Sequence, residues 1–226
     1  MELKNISFSY ADTTVFNSLD LTVPENKITA ILGPSGCGKT TLLKILSAQV
    51  SFYGEIDGQT DKISYIFQEP LLLSHLSVEN NIDFFLKKAF PDKKTRMEKT
   101  HEILKQVELF DSIKKYPSEL SGGMAQRVAI ARAFAYPGKL LLMDEPFKGL
   151  DYSLKKRILD LFLRIYDNDR RTTVFVTHDI DEALLLADKI VVLSNDGVIY
   201  DRVLSERAER KITDFPEIKN ELYEIL

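Results

Sequence analysis

A single cysteine in 226 residues, Cys37, excludes a disulfide framework and a cysteine-based metal cluster within the chain. Basic residues are not in excess either. The 30 Lys and Arg face 34 Asp and Glu, a formal charge of −4, so the chain lacks the footprint of a nucleic-acid binder and no nucleic-acid partner is expected. No apolar run approaches the roughly 18 residues of a membrane span. Runs such as Ala183 to Ala187 have the length of buried core segments. The opening residues Met-Glu-Leu-Lys-Asn lack the apolar stretch of a signal peptide, and no internal repeat or low-complexity segment interrupts the chain. These absences lead to the expectation of a cytoplasmic protein, soluble by itself and free to dock on a membrane protein. The length suits one α/β core with room for an inserted subdomain.

What is present is a glycine, four free positions and then Gly-Lys-Thr, in Gly33-Pro34-Ser35-Gly36-Cys37-Gly38-Lys39-Thr40, with Thr41 behind it. Glycines let successive backbone N–H groups turn inward to form a concave anion nest. Lys39 brings a mobile charge to the β- and γ-phosphates of a nucleoside triphosphate, and Thr40 a hydroxyl for Mg²⁺. Ile28 to Leu32 reads as a buried strand before the loop, and Thr41 to Leu46 as a helix after it, whose N-terminus faces the phosphates. Cys37, at a free position, reads as a small residue that fits.

Before this loop, Ile6, Phe8 and Tyr10 alternate with polar residues, and Val15, Leu19, Leu21 and Val23 share one parity. Both patterns predict strands, hence an antiparallel β layer beside the nucleotide. Tyr10 is either a core tyrosine or a ring that stacks on a purine. Gly54 to Asp57 and Lys62 to Phe67 read as further strands, the second ending at Gln68. From about Leu71 to Leu120 strand patterns vanish. Ser77 caps a predicted helix through Val78, Ile82, Phe85, Leu86 and Ala89, and Pro91-Asp92 opens another carrying Met97, Leu104 and Val107. His75 and His101 fall inside this helical insertion without a second ligand at metal spacing, and read as solvated or packed side chains. Strands return at Lys139 to Met143, Thr172 to Thr177 and Lys189 to Leu193, with helices around Tyr152 to Tyr166 and Asp181 to Ala187 between them. That alternation predicts a parallel sheet covered on both faces. Asn195-Asp196-Gly197 predicts a hairpin into Val198 to Tyr200. The charged tail from Ser205 to Leu226 reads as helical, interrupted at Pro216.

Chemistry converges on the strand ends, where an open α/β sheet binds its ligand. Leu140 to Met143 delivers Asp144, suited to hold Mg²⁺, and Glu145, suited to polarise a water. Gln68 can reach metal or water, and His178 a γ-phosphate. Leu120-Ser121-Gly122-Gly123-Met124-Ala125-Gln126-Arg127 has a cap serine, paired glycines and an Ala-rich helix, which together make a second anion site. Two phosphate sites in one chain suggest two chains face to face, each closing the other's loop.

The ordered set of the Gly33 loop, Gln68, the Ser121 segment, Leu140 to Pro146, Gly149-Leu150-Asp151 and His178 resembles the ATPase subunit of ATP-binding-cassette (ABC) transporters over essentially the whole chain. The resemblance implies a P-loop NTPase (RecA-like) α/β fold with an N-terminal antiparallel layer. It implies an α/β core over 1–70 and 126–226 and a helical subdomain over 71–125. It implies ATP and Mg²⁺ as cofactors. Tyr10 matches the adenine-stacking aromatic, and Ser121 and Gly123 the cross-dimer γ-phosphate contacts. Glu145 matches the catalytic base, Asp151 the loop linking the two sites, and His178 the γ-phosphate switch. Implied partners are a second ATPase subunit, transmembrane permease subunits and, indirectly, a solute-binding protein.

Phe67 to Leu73, Leu76 to Asn80, Tyr116 to Leu120 and Asp144 to Phe147 are similar to importer ATPases, most of all the nitrate, sulfonate and taurine group. Met124 stands where glutamine is frequent, and Lys148-Gly149 where that group usually has Gly-Ala. The second reading is a soluble cassette ATPase acting in assembly. A repair-type cassette would need a longer insertion than Leu71 to Leu120, a translation-type factor two cassettes in one chain. A P-loop kinase accounts for neither the Ser121 segment nor Glu145.

Overall fold

The five residues Ile28–Leu32 form a wholly buried strand, β3, and everything near the site is placed relative to it. The computed structural model describes residues 1–204 and 215–226. Before β3 run β1 (Glu2–Tyr10) and β2 (Thr13–Thr22), and after it helix α1 (Lys39–Leu46) and strands β4 (Tyr53–Asp57) and β5 (Ile63–Ile66). Next come helices α2 (Val78–Leu86), α3 (Lys93–Gln106) and α4 (Gly122–Ala135). The second half alternates β6 (Leu140–Asp144), α5 (Tyr152–Asn168), β7 (Thr172–Val176), α6 (Ile180–Leu186), β8 (Lys189–Ser194) and β9 (Gly197–Val203). Helix α7 (Pro216–Ile225) follows.

Two sheets result. One has the order β2-β1-β4, the antiparallel layer expected from the alternating pattern of the first 23 residues. The other has the order β5-β6-β7-β3-β8-β9, parallel except for the final hairpin. Side chains of the parallel sheet go alternately to two cores. Ile28, Ala30 and Leu32 of β3 pack with α2, α4, α5 and α6, while Ile31 packs with Leu42 and Leu43 of α1 and with Leu3, Ile6 and Leu19 of the small sheet. Burying such branched and linear apolar side chains contributes about 1.5–3 kcal/mol each, so both faces are held firmly.

Three expectations are corrected. In β2 Phe16 is buried with Leu19 and Leu21 while Val15 is only partly covered, because Ser18 takes φ +60 and shifts the register between Ile6–Leu19 and Phe8–Phe16, resetting the parity. Helix α2 ends at Leu86, so Ala89 lies beyond it. His101 is neither simply solvated nor packed: its Nε2 lies 2.6 Å from Glu79 Oε1, whose other oxygen takes Lys114 at 2.8 Å, tying α3 to α2. Pro216 is the first residue of α7, where a proline gives up an N–H that would be unpaired anyway. The first half of the tail expectation, 205–214, lies outside the described residues.

The C-terminal end of α4 is fixed by a buried arginine. Arg171 donates to the carbonyls of Ala133 at 3.2 Å and Tyr136 at 3.1 Å, and pairs with Asp169. Arg171→Met removes these bonds but leaves the Ala133 carbonyl to the Ser64 hydroxyl at 2.8 Å and the Tyr136 carbonyl to the Gly138 N–H at 2.8 Å, so it is expected to cost about 1–2 kcal/mol, seen as a lower urea midpoint at unchanged slope.

Candidate functional site

The strand order decides the site. Neighbouring strands β5, β6, β7 and β3 end at Gln68, Asp144-Glu145, His178 and the Gly33 loop respectively, so four motifs far apart in sequence stand side by side along one sheet edge. Pairing of Ile66 with Met143 and of Asp144 with Val176 keeps those ends level.

The loop over β3 is built on glycine. A Cβ on Gly33, at φ +146, would come 2.3 Å from the Leu193 carbonyl oxygen, and Gly36 at φ +88 takes a conformation that other residues rarely adopt. Gly38, at φ +101, stands before α1, where a Cβ would strike Val15 and Phe16. Ser35 is exposed, Thr41 is buried in the first turn of α1, and buried Cys37 packs beneath Gly33, as a small fitting residue should. The Lys39 ammonium donates to the Gly33 carbonyl at 2.7 Å and the Pro34 carbonyl at 2.8 Å, so its charge rests on the rim of the nest.

Thr40 Oγ1 lies 3.5 Å from Asp144 Oδ1, which brings a hydroxyl and a carboxylate from two elements together. Burial pushes the Asp144 carboxyl up, with the Thr40 hydroxyl opposing it. A half-buried carboxylate beside a hydroxyl, next to an N–H nest, is the hard-oxygen donor set that a Mg²⁺–phosphate pair requires, so the residues fit that group.

Glu145 follows in a left-handed conformation, φ +43, with its N–H donating to the Val176 carbonyl at 2.9 Å. A glutamate held there is uncommon, and the turn throws its side chain back over the sheet edge. Burial pushes its carboxyl up, but the Lys148 ammonium and then His178 outweigh this and hold it below the ordinary carboxylate range. Lys148 pairs with Glu145 Oε2, and His178 Nδ1 lies 3.6 Å from the same oxygen. Gly33, Pro34, Ser35, Lys39, Glu145, Lys148 and His178, with Leu226 of the last turn, line one cavity of about 400 Å³.

The remaining predicted residues stand apart from that cavity. Tyr10 is 45% exposed, meets Phe8 edge-on at 4.7 Å and has Lys44 Nζ 5.8 Å from its ring centre, so it is not a core tyrosine. Gln68 is exposed beyond β5. Ser121 caps α4 through the Met124 N–H at 3.3 Å, and with Gly123 lines a separate cavity of about 320 Å³ between α4 and α5. A Cβ on Gly123 would come 2.7 Å from Leu154. Asp151 caps α5 through the Leu154 N–H at 3.0 Å.

Sequence reasoning missed three supporting side chains. Gln126 of α4, 3% exposed, donates to the Pro146 carbonyl beside Glu145. Arg132, at the far end of α4, donates to the carbonyls of Leu71 and Pro70 at 2.9 Å each and lies over the Phe85 ring. Lys155 of α5 reaches Asp179 and Glu182 around His178. The available signal for Arg132 was a charge inside the run Val128 to Phe134.

Residues 16–148 match the family model described as ABC transporter. The chain is 38% identical over 214 residues to the sulfate/thiosulfate import ATP-binding protein CysA of Pseudomonas syringae pv. tomato, covering 88% of this chain and 65% of that protein. Against the protein of the same name from Escherichia coli (strain K12), identity is 36% over 234 residues, 95% of this chain and 64% of the relative. It thus spans just under two thirds of the length of these relatives. Among solved structures, a dimeric bacterial ABC transporter cassette aligns with a TM-score of 0.78 at 30% identity, covering 91% of this chain and 99% of that one. A dimeric post-hydrolysis state of an ATP-binding cassette bound to ADP and Pi aligns at 0.76 and 29%, with the same coverage.

Proposed function

The chain belongs to the ABC transporter family, and from that premise we propose that it is the ATP-hydrolysing subunit of a membrane importer of a small solute. The observation that carries this reading is the Thr40–Asp144 contact of 3.5 Å set between the Lys39 nest and the Glu145–His178 pair.

In this reading the N–H groups from Gly33 to Thr41 and the Lys39 ammonium bind the β- and γ-phosphates, and adenine stacks on the exposed face of Tyr10. Thr40, Asp144 and Gln68 hold Mg²⁺, which when bound offsets the negative charge of the phosphate oxygens. Glu145 accepts the proton of the attacking water, and His178 orients that water and meets the γ-phosphate. Ser121 and Gly123 serve the ATP of a second, identical subunit, and Asp151 links the two sites. That the Ser121 cavity and the Lys39 cavity are separate within one chain supports this division of labour. The segment 71–125 acts as a helical subdomain on the core formed by 1–70 and 126–226, although α4 runs unbroken across that boundary.

The importer role rests on the relatives, which are named import ATP-binding proteins. Their sulfate and thiosulfate, and the nitrate, sulfonate and taurine of the resembling group, share a small oxoanion head, and we assign a cargo of that chemistry. Permease subunits hold the chain at the inner face of the cell membrane, and a solute-binding protein delivers the cargo to them. No described helix is long and apolar enough to cross a membrane itself.

Light scattering tests the two-chain site. Glu145→Gln with Mg-free ATP is expected to double in mass, and Ser121→Arg on that background to bind ATP yet stay monomeric, with dimer affinity at least about 10²-fold weaker. A Glu145→Gln chain that stays monomeric at high concentration sinks the homodimer and points to a different partner cassette.

A further inference from the structure

Around His178 lies a cluster of charged side chains that none of the steps above uses. Thr177 Oγ1 donates to Glu182 Oε2 at 2.6 Å and accepts the Asp179 N–H at 3.1 Å. Asp179 caps α6, its Oδ1 taking the N–H groups of Asp181 at 2.9 Å and Glu182 at 3.2 Å. Both neighbours of His178 are therefore pinned, while the imidazole is exposed and its Nδ1 lies 3.6 Å from Glu145 Oε2. Its placement comes from the backbone on either side. Two residues of other elements enter this network: Lys219 of α7 pairs with Asp181 Oδ1 at its edge, and at its centre Lys155 Nζ lies 2.9 Å from Asp179 Oδ2 and 2.8 Å from Glu182 Oε1. Lys155 stands one turn into α5, and its N–H donates to the Asp151 carbonyl at 2.8 Å.

We propose that Lys155 is a positioning residue for His178, which makes the helix capped by Asp151 and the turn carrying His178 move as one body. The inference rests on the ATPase reading above and adds to it a route from the loop that links the two subunits' sites to the γ-phosphate contact of the same chain. The ion pairs hold against burial. Burial depresses the Lys155 ammonium, but Glu182 and Asp179 outweigh it and the group stays charged. Burial likewise raises the Asp179 carboxyl, and Lys155 with the α6 N–H groups overcomes this. Glu182 is 3% exposed, so without Lys155 a buried carboxylate would lose its counter-ion and the turn would rearrange.

The test is a double-mutant cycle on steady-state ATP hydrolysis by the full chain, with wild type, Lys155→Met, His178→Ala and the double variant, alongside nucleotide affinity and Tm. Lys155→Met is expected to lower kcat by about tenfold while KM for ATP stays within about twofold. In the His178→Ala background it is expected to lower kcat no further. Lys155→Arg, which keeps the charge and reaches both carboxylates, is expected to restore most of the activity. Multiplying losses in the double variant, or a KM that rises together with a falling Tm, overturn the proposal and leave Lys155 a purely structural group. Should Lys155→Met fail to fold, Asp179→Asn removes one ion pair while keeping the cap, and the same cycle with His178→Ala decides. A wild-type chain that does not hydrolyse ATP sinks the ATPase reading. An active chain indifferent to His178→Ala sinks this inference and the role given to His178, while the ATPase reading stands.

Discussion

Glu145→Gln is expected to lower ATP turnover by about 10²- to 10⁴-fold while leaving ATP affinity unchanged. The amide keeps the size and position of the side chain, and the left-handed turn at φ +43 is a property of the backbone. What disappears is the ability to accept a proton, together with the charge that draws Lys148 and His178 to Oε2. The metal-facing pair Thr40–Asp144 sits one residue earlier and keeps its 3.5 Å contact, so binding has no reason to suffer. Lys39→Ala is expected to show the opposite split, because the lost ammonium is the one that rests on the nest at 2.7 Å from the Gly33 carbonyl. Its ATP affinity should fall before any effect on the chemical step is visible. Equilibrium binding of a fluorescent ATP analogue together with steady-state kinetics separates the two. Near-wild-type turnover of Glu145→Gln removes Glu145 from the role of base.

The second large effect concerns the proposed permease contact. Four leucines, Leu71, Leu72, Leu73 and Leu76, follow Gln68 in a segment without regular structure. A loop cannot bury all four, so the sequence alone leaves some of them as core and some as an exposed patch. Leu72 packs on the main core, Leu73 is bound through its backbone to Asn81 at 2.8 Å, and Leu71 is left 53% exposed. Beside it in α2, Phe84 and Phe85 are 48% and 41% exposed and meet edge-on at 5.4 Å. An apolar patch of this kind, next to a residue assigned to the metal, is the surface a partner helix would cover. Leu71 has φ +44, a conformation that aspartate tolerates better than leucine, so Leu71→Asp adds no backbone strain. Leu71→Asp with Phe84→Asp is expected to leave ATP hydrolysis by the free chain within about twofold and to weaken association with the permease by at least about 10²-fold. Co-purification at wild-type yield together with normal uptake sinks this surface as the contact.

The sheet edge was legible because its strands are short apolar runs, each ending in one chemically distinct group: Gln68, Asp144-Glu145, His178 and the Gly33 loop. Periodicity and turn chemistry suffice for that, and the resemblance supplies the roles. The bulged pair β1–β2 was less legible, because Ser18 and Asn5 take positive φ without the glycine that usually announces it. The connecting side chains were invisible for a different reason. Lys155 belongs to the polar stretch Lys155-Lys156-Arg157, where nothing local separates the inward lysine from its exposed neighbours. Gln126 and Arg171 likewise find their partners, Pro146 and the end of α4, only through the tertiary fold.

Helix α4 is gripped at four points along one unbroken length: Ser121 caps its start, Gln126 holds the Pro146 carbonyl, Arg132 holds the carbonyls of Pro70 and Leu71, and Arg171 holds its last carbonyls. Its 14 residues make a rod of roughly 20 Å, at about 1.5 Å per residue. A rod held this way is a lever with its fulcrum beside Glu145. A tilt of about 10° imposed at the Arg132 end would carry the Ser121 end, about 7.5 Å from that fulcrum, through roughly 1.3 Å, comparable to the shifts by which packed helices switch subunit interfaces. Such a displacement exceeds the tolerance of a hydrogen bond, so contacts at the Ser121 end can be made or broken by forces applied at the leucine patch.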